Sequence, residues 1–364
     1  MSNGLNHAGL REVGLMEDTN IYGLPLRQSP NRFFIVSSPL ARKLLAFPEV
    51  IGWDSCNALL SGTVAALRHF SKTGLSGDSV DILTILRGGL NYPVEQACRV
   101  CGIPVREIHF ISCERVIEDH VITGLDVKYE KVRPSRDRTI LIGDIIATGD
   151  TLRLCLEHVI RKFHAGGGSI RRIIFFTIGG TRAVSLMDDL TLKIKALFPK
   201  FEGFDCFFFE GMFSVYTDKG VSGINVPDID FGWKDGVVSP EFRNFIVREN
   251  PDALFEKCII YDGGARRYEI PAHFEEVLEY WEGIRERAAI IDPVALVAEK
   301  LGYPEPVPYD QWLDITGFRN LERDFFHLLW ATEQDLFQRA GGISLESLAK
   351  RRINSLKSIY KRYE

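Results

Sequence analysis

The chain has 364 residues, 45% of them hydrophobic and 26% charged, a balance that excludes a disordered or fibrous protein and leaves room for one large domain plus a smaller one. Its formal net charge of -5 supplies no overall attraction to nucleic acid or to an anionic membrane. The opening MSNGLNHAGLREVG lacks the apolar core of a secretion signal, the seven cysteines are odd in number and scattered, and no apolar run nears the roughly 20 residues that cross a bilayer, so a soluble cytoplasmic protein is expected.

Residues 1–50 are rich in Gly, Pro, Asn and Arg and read as an arm, with one short apolar run, 33–36, that suits an edge strand. Between 51 and 236, short apolar runs at 81–86, 105–112, 139–142, 172–178 and 205–209 alternate with helical patterns. That alternation predicts an α/β fold built on a central parallel sheet with helices on both faces. Cys98 and Cys101 stand at CxxC spacing, but with no second pair or nearby histidine pair they read as core thiols, and no zinc site is expected. From 237 to 364 the pattern becomes mainly helical: Phe274, Val277, Leu278, Trp281 and Ile284 share one face, and Leu345, Leu348, Ile353, Leu356 and Tyr360 another. The last helix is basic, with Lys350, Arg351, Arg352, Lys357, Lys361 and Arg362, and reads as a solvated face rather than a contact surface.

The stretch ILIGDIIATGDTL at 140–152 concentrates the chemistry. A buried strand runs to Asp144, a turn carries Thr148, Gly149, Asp150 and Thr151, and Leu152, Leu154, Leu156 and Val159 resume with helical spacing. A turn between a strand's end and a helix start exposes backbone N–H groups at the positive end of the helix dipole, which suits a phosphate. Gly149 lets the backbone close without a Cβ, the hydroxyls of Thr148 and Thr151 add donors, and Asp144 faces whatever the phosphate is attached to, a sugar or Mg²⁺. The alternative is a tight connection capped by Asp150 and Thr151. Neither GxxxxGK[ST] nor GxGxxG spacing occurs here.

The stretch resembles the phosphoribosyl diphosphate (PRPP) motif of type I phosphoribosyltransferases, and ILRGGL at 85–90 resembles their pyrophosphate loop, in the same order along the chain. Over about 80–236 the nearest likeness is to uracil phosphoribosyltransferases: LRGGL to their LRAGL, VKYEKVRP at 127–134 to the end of their mobile loop, IIATGDT to MLATGGS, and VYTDKGVSGINVPDIDFG at 215–232 to their base-reading segment. There are departures. Gly143 stands where those enzymes carry an acid, Ala147 where the hypoxanthine-guanine enzymes carry an aspartate, and GINVPD replaces the PGLGD core of the uracil loop.

The resemblance implies a PRPP-dependent transfer of a 5-phosphoribosyl group to a nitrogenous base, pyrimidine-like by the 215–232 segment, with release of pyrophosphate and with Mg²⁺ as cofactor. In that scheme Arg87 and Asp144 are catalytic. Ala147, Thr148, Gly149, Asp150 and Thr151 hold the 5-phosphate; Arg87, Gly88, Gly89 and Lys131 hold pyrophosphate; Gly223, Ile224, Asp228 and Asp230 face the base; Asp144 takes the metal. The aspartates at 228 and 230 fit turn formation equally well. The charged stretch 114–138, with Lys128, Lys131, Arg133 and Arg136, is able to close over the site or to lie solvated as a loop. A homodimer follows from the resemblance, whereas no nucleic acid polymer or membrane is expected as a partner. The competing readings are a PRPP-sensing regulator without turnover, an enzyme running toward nucleotide cleavage, and an assembly module acting through its C-terminal helices.

Overall fold

The structure, a computed structural model, describes residues 8–26, 29–71, 79–118, 121–216, 220–224, 230–257 and 263–363. The chain opens with a hairpin and a third strand, β1 (Arg11–Met16), β2 (Thr19–Gly23) and β3 (Arg32–Ser37), then α1 (Pro39–Ala46), α2 (Gly52–Asn57) and α3 (Leu60–Ser71). Five central strands fall on the predicted apolar runs, β4 (Val80–Leu86), β5 (Val105–Glu118), β7 (Arg138–Gly143), β8 (Ile170–Gly180) and β9 (Phe204–Tyr216), joined by α4 (Val94–Cys101), α5 (Asp150–Ala165) and α6 (Ala183–Leu197), while β6 (Val121–Lys131), which no apolar run marks, forms a long hairpin with β5 in the stretch expected as a charged loop.

Among the described residues the sheet runs β1-β2-β3-β9-β8-β7-β4-β5-β6, and β10 (Asp230–Val238) pairs antiparallel with the far part of β9. The six strands from β3 to β5 are parallel. Their helical crossovers cover both faces, so the strands are apolar on both sides. In β9, Phe207 stacks against Phe34 at 4.8 Å and Phe176 at 5.5 Å on one face, while its neighbour Phe208 turns to Phe33 on the other.

The run 33–36, expected at an edge, lies inside the sheet between β2 and β9. The outer edge is β1, whose apolar side chains Val13 and Leu15 point to solvent, so its sequence carries no burial pattern.

The C-terminal region comprises α7 (Pro240–Asn244), α8 (Gly263–Tyr268), α9 (Ile270–Arg287), α10 (Pro293–Leu301), α11 (Tyr309–Thr316), α12 (Phe326–Arg339) and α13 (Leu345–Tyr360). It shares one continuous apolar core with the sheet. Glu333 of α12 is fully buried and accepts from Arg243, Tyr303 and Trp312, so its charge is paired and its oxygens are satisfied. The basic α13 is only partly a solvated face: Lys350 pairs with Glu346 on its own helix, but Arg352 turns inward to Glu256 and Glu49.

At the opposite end of the sheet from the strand tips, the carboxylate of Asp81 in β4 is fully buried and joins three strands. Arg106 of β5 donates two hydrogen bonds to it at 2.9 and 2.7 Å, Arg138 of β7 two more at 3.2 Å, and His109 lies 3.3 Å away. Burial alone would raise this carboxyl, but the bonds from His109 and Arg106 and the charge of Arg138 carry it down to about 2. Asp81→Ala should therefore destabilise the fold by about 3 kcal/mol, because two guanidinium groups lose their counter-charge. The wild-type contribution should be complete above pH about 4, the unfolded carboxyl value, and fade as the pH falls toward 2. Denaturant unfolding of both proteins between pH 2 and 7 checks this; an equal midpoint at pH 7 would remove the clamp.

Candidate active site

Winding direction fixes where a ligand fits. From β4 the chain steps outward to β5, yet β7 returns to the other side of β4, and β8 and β9 continue in that opposite direction. The reversal leaves a crevice beyond the carboxyl ends of β4 and β7, the position at which open α/β sheets bind ligands. The loops entering it are 87–91 after β4 and 144–149 after β7, the two segments singled out in the sequence.

They meet at close range. A Cβ placed on Gly88 would lie 2.6 Å from Oδ1 of Asp144, and one on Gly89 would lie 3.1 Å from Thr84 and 3.2 Å from the carbonyl of Gly143. A side chain at 88 would push against the Asp144 carboxylate, and one at 89 would crowd the β4 and β7 backbones, so glycine at both positions lets the loop lie close. Asp144 is half-buried; its Oδ1 accepts the N–H of Ile145 at 2.9 Å, and its own N–H donates to Phe176. Burial pushes its carboxyl up to about 7, against the pull of that single N–H.

Gly149 is the N-cap of α5 with φ +81°, and a Cβ there would fall 2.6 Å from Leu186. It offers no side chain to cap the 16-residue α5, so the helix start faces the crevice with its N-terminal dipole. Ala147 is buried, Thr148 and Asp150 are half-buried, and Asp150 lies 3.9 Å from Arg153 one turn on.

Arg87 follows a cis Leu86–Arg87 peptide and is largely exposed; its guanidinium reaches Glu269 at 2.5 and 3.3 Å. Lys131 ends β6 and pairs with Glu107 at 3.0 Å. Its register partner is Phe110, opposite Thr84, which sets it two strands, or about 10 Å, from β4. The structure therefore gathers Gly88, Gly89, Asp144 and the 147–151 turn, with Arg87 at the rim and Lys131 aside. The 114–138 stretch is largely the β5–β6 hairpin. β5 continues from Ser112, the partner of Leu86, to Glu118, so it overhangs the strand tips by about 20 Å.

Gly223 (φ +64°) and the buried Ile224 pack instead on α9 and neighbouring helices: Arg287 donates to the carbonyl of Ser222 at 3.0 Å, Glu299 accepts from Val221 N–H at 2.8 Å, and Ile224 lies against Gly283. Gly283 is some 20 Å along α9 from Ile270, which adjoins the Arg87 partner, so these two residues stand apart from loop 87–91. Asp230 opens β10 opposite Tyr216, and Asp228 lies outside the described residues.

Two residues went unread in the sequence. Tyr92 is buried, its hydroxyl accepts the N–H of Ile178 at 3.1 Å, and burial pushes that hydroxyl up, so it stays protonated. Its ring explains Gly143: a Cβ there would sit 2.3 Å from Tyr92 Cβ, so the space for an acid at 143 is filled. Glu269 is the other. It is 182 positions from Arg87, and no local pattern links the two.

No family model and no curated protein matches the chain. Solved structures similar to it include a hypoxanthine phosphoribosyltransferase from Staphylococcus aureus, 16% identical over 34% of this chain and 64% of that one, with a TM-score of 0.27. A purine phosphoribosyltransferase from Pyrococcus horikoshii is 19% identical over 35% and 76%, with a TM-score of 0.23. A protein from Aquifex aeolicus is 15% identical over 48% and 85%, with a TM-score of 0.33. This chain thus spans less than two thirds of the Staphylococcus protein's length. Among the described residues, no helix is long and apolar enough to cross a membrane.

Gly143→Asp should fail to restore an acid to the crevice, because its Cβ would collide with the Cβ of Tyr92, which no turn of the ring relieves; the expected cost is about 2–4 kcal/mol from overpacking and a buried charge. Thermal unfolding measures it, and a mutant as stable as wild type would show that the Tyr92 segment yields freely.

Proposed function

We propose that the chain binds PRPP in the β4–β7 crevice and transfers its 5-phosphoribosyl group to a nitrogenous base, releasing pyrophosphate. The observation that carries this reading is the meeting of Gly88 with Asp144 at the winding reversal, beside a long helix that begins at a left-handed glycine. The N-terminus of α5 and the 147–151 turn take the 5-phosphate. Asp144 orients the ribose hydroxyls, and the backbone of Gly88 and Gly89 closes on pyrophosphate with Arg87 supplying positive charge. The C1–oxygen bond to pyrophosphate breaks as the C1–nitrogen bond to the base forms, and the ring nitrogen's proton passes to the departing pyrophosphate. No covalent nucleophile is needed, so catalysis is positioning and charge placed at the leaving group. The β5–β6 overhang serves to exclude water.

One carboxylate fits a magnesium ion that keeps its waters and takes most of its ligands from substrate phosphates. Among the described residues, no cluster of three His, Cys, Asp or Glu side chains offers a fuller cage. Bound at Asp144, the ion supplies further positive charge to the leaving pyrophosphate. We place Lys131 at the pyrophosphate only after a hairpin movement, and we propose a pyrimidine-like acceptor on the likeness of 215–232 alone, with a homodimer as the assembly. A second reading, a PRPP-binding regulator without turnover, is favoured by one observation: Tyr92 occupies the space of an acid at 143.

Incubation with Mg²⁺, PRPP and a panel of nucleobases should release pyrophosphate with pyrimidine-like bases. Release with purines alone would overturn the acceptor class, and PRPP binding without release would favour the regulator. Asp144→Asn should stay folded and bind PRPP about tenfold more weakly, read by calorimetry. In the wild type, Mg²⁺ binding must displace the proton that a carboxyl near 7 retains, so affinity should rise from pH 6 to 8 and flatten above it. A pH-independent affinity would remove Asp144 as the ligand.

A further inference from the structure

Loop 87–91 is covered by a segment from far along the chain. Glu269, just before α9, takes both terminal nitrogens of Arg87. Two residues earlier, Arg267 donates to the carbonyl of Leu90, at the other end of the same loop, and its guanidinium lies 4.8 Å from the Tyr268 ring. The segment is anchored from below by Arg266, 3% exposed, which donates to the carbonyls of Leu44 and Phe47 at 2.7 and 2.6 Å. A carboxylate that grips a guanidinium through both oxygens presents the charge and fork geometry of a phosphate. Arg267 spends one nitrogen on Leu90, and a guanidinium carries five N–H donors.

We infer that segment 266–269 is a working part of the pyrophosphate site: Glu269 is a resident anion that holds Arg87 in place and yields it to pyrophosphate, and Arg267 is a second cation that the pyrophosphate meets. This rests on the function proposed above and extends it, because it assigns half of the pyrophosphate grip to the C-terminal helical region. It also gives that region a task. The helix following Glu269 also reaches segment 220–224, through Arg287.

The test is calorimetric titration of the full chain with inorganic pyrophosphate and Mg²⁺. Glu269→Gln should bind about two- to fivefold tighter than wild type, the worth of a half-exposed ion pair removed from competition. A gain of affinity cannot come from a damaged fold. Arg267→Ala should bind about tenfold more weakly and Arg267→Lys should recover most of the loss, since the charge is kept. Wild-type binding with Glu269→Gln and Arg267→Ala both unchanged would overturn this inference and leave the crevice as the pyrophosphate site. A wild type that binds no pyrophosphate would overturn the site itself, and this inference with it.

Discussion

The parallel pairing of β4 with β7 is the constraint on which the rest depends. The two strands are adjacent in the sheet but separated in the chain by the whole β5–β6 hairpin, and their register is Asp81 with Ile140, Ile82 with Leu141 and Leu83 with Ile142. A slip of one residue would turn every side chain to the wrong face. The buried Asp81 carboxylate opposes such a slip, since its partners Arg106 and Arg138 come from the strands on either side of β4. At the other end of the same pairing, register decides that Gly88 passes over Asp144. A structural clamp at one end of the strands thus sets the crevice geometry at the other.

Charge is distributed by the same logic. The positive groups near the crevice are each paired with an acid: Arg87 with the distant Glu269, Lys131 on the neighbouring hairpin with Glu107, and Arg153 with Asp150 and Glu157 on its own helix. These pairs are exposed or half-exposed, so each contributes little to stability, about 0–1 kcal/mol. In the function proposed above, which puts a polyanion in the crevice, that weakness is useful. A cation held loosely by a carboxylate is kept in position at small cost, and an incoming phosphate group outcompetes the carboxylate with more oxygens and more charge.

The central sheet was legible because parallel strands covered on both faces must be continuous apolar runs, and 81–86, 139–142 and 205–209 are such runs. The outer strands were not. β1 reads REVGLM, with its apolar residues turned outward, and β9 extends past Phe209 only because Glu210 adopts φ +61° and is met by Ser37, Ser38 and Ser239. The turn 147–151 and loop 87–89 were legible as connections leaving strands, because glycines and hydroxyls follow directly on apolar runs. Tyr92 and Glu269 were invisible, since their roles arise from contacts across the fold: Tyr92 beside Gly143, and Glu269 on an arginine 182 positions away. Gly223 and Ile224 mark the reverse case. Their sequence resembles a base-reading segment, but packing against α9 sets them apart from loop 87–91.

Burial pushes two carboxyls at the ends of the sheet up to about 7, and their surroundings differ. Glu210 is fully buried, yet it accepts hydrogen bonds from the hydroxyls of Ser37 and Ser239 and the N–H of Ser38, at 2.6, 2.9 and 2.7 Å. Those donors tie the end of β3 and the starts of α1 and α7 together, so Glu210 is satisfied within the fold. Asp144 is less enclosed but receives one hydrogen bond among the described residues, from the next N–H in the chain. A carboxylate has room for about four such bonds. Asp144 is therefore the more open of the two carboxyls, with fewer of its acceptor positions filled from within the fold. Those open acceptor positions, beside the close-passing Gly88, are why the proposed function assigns sugar hydroxyls or a hydrated cation to Asp144 rather than to Glu210.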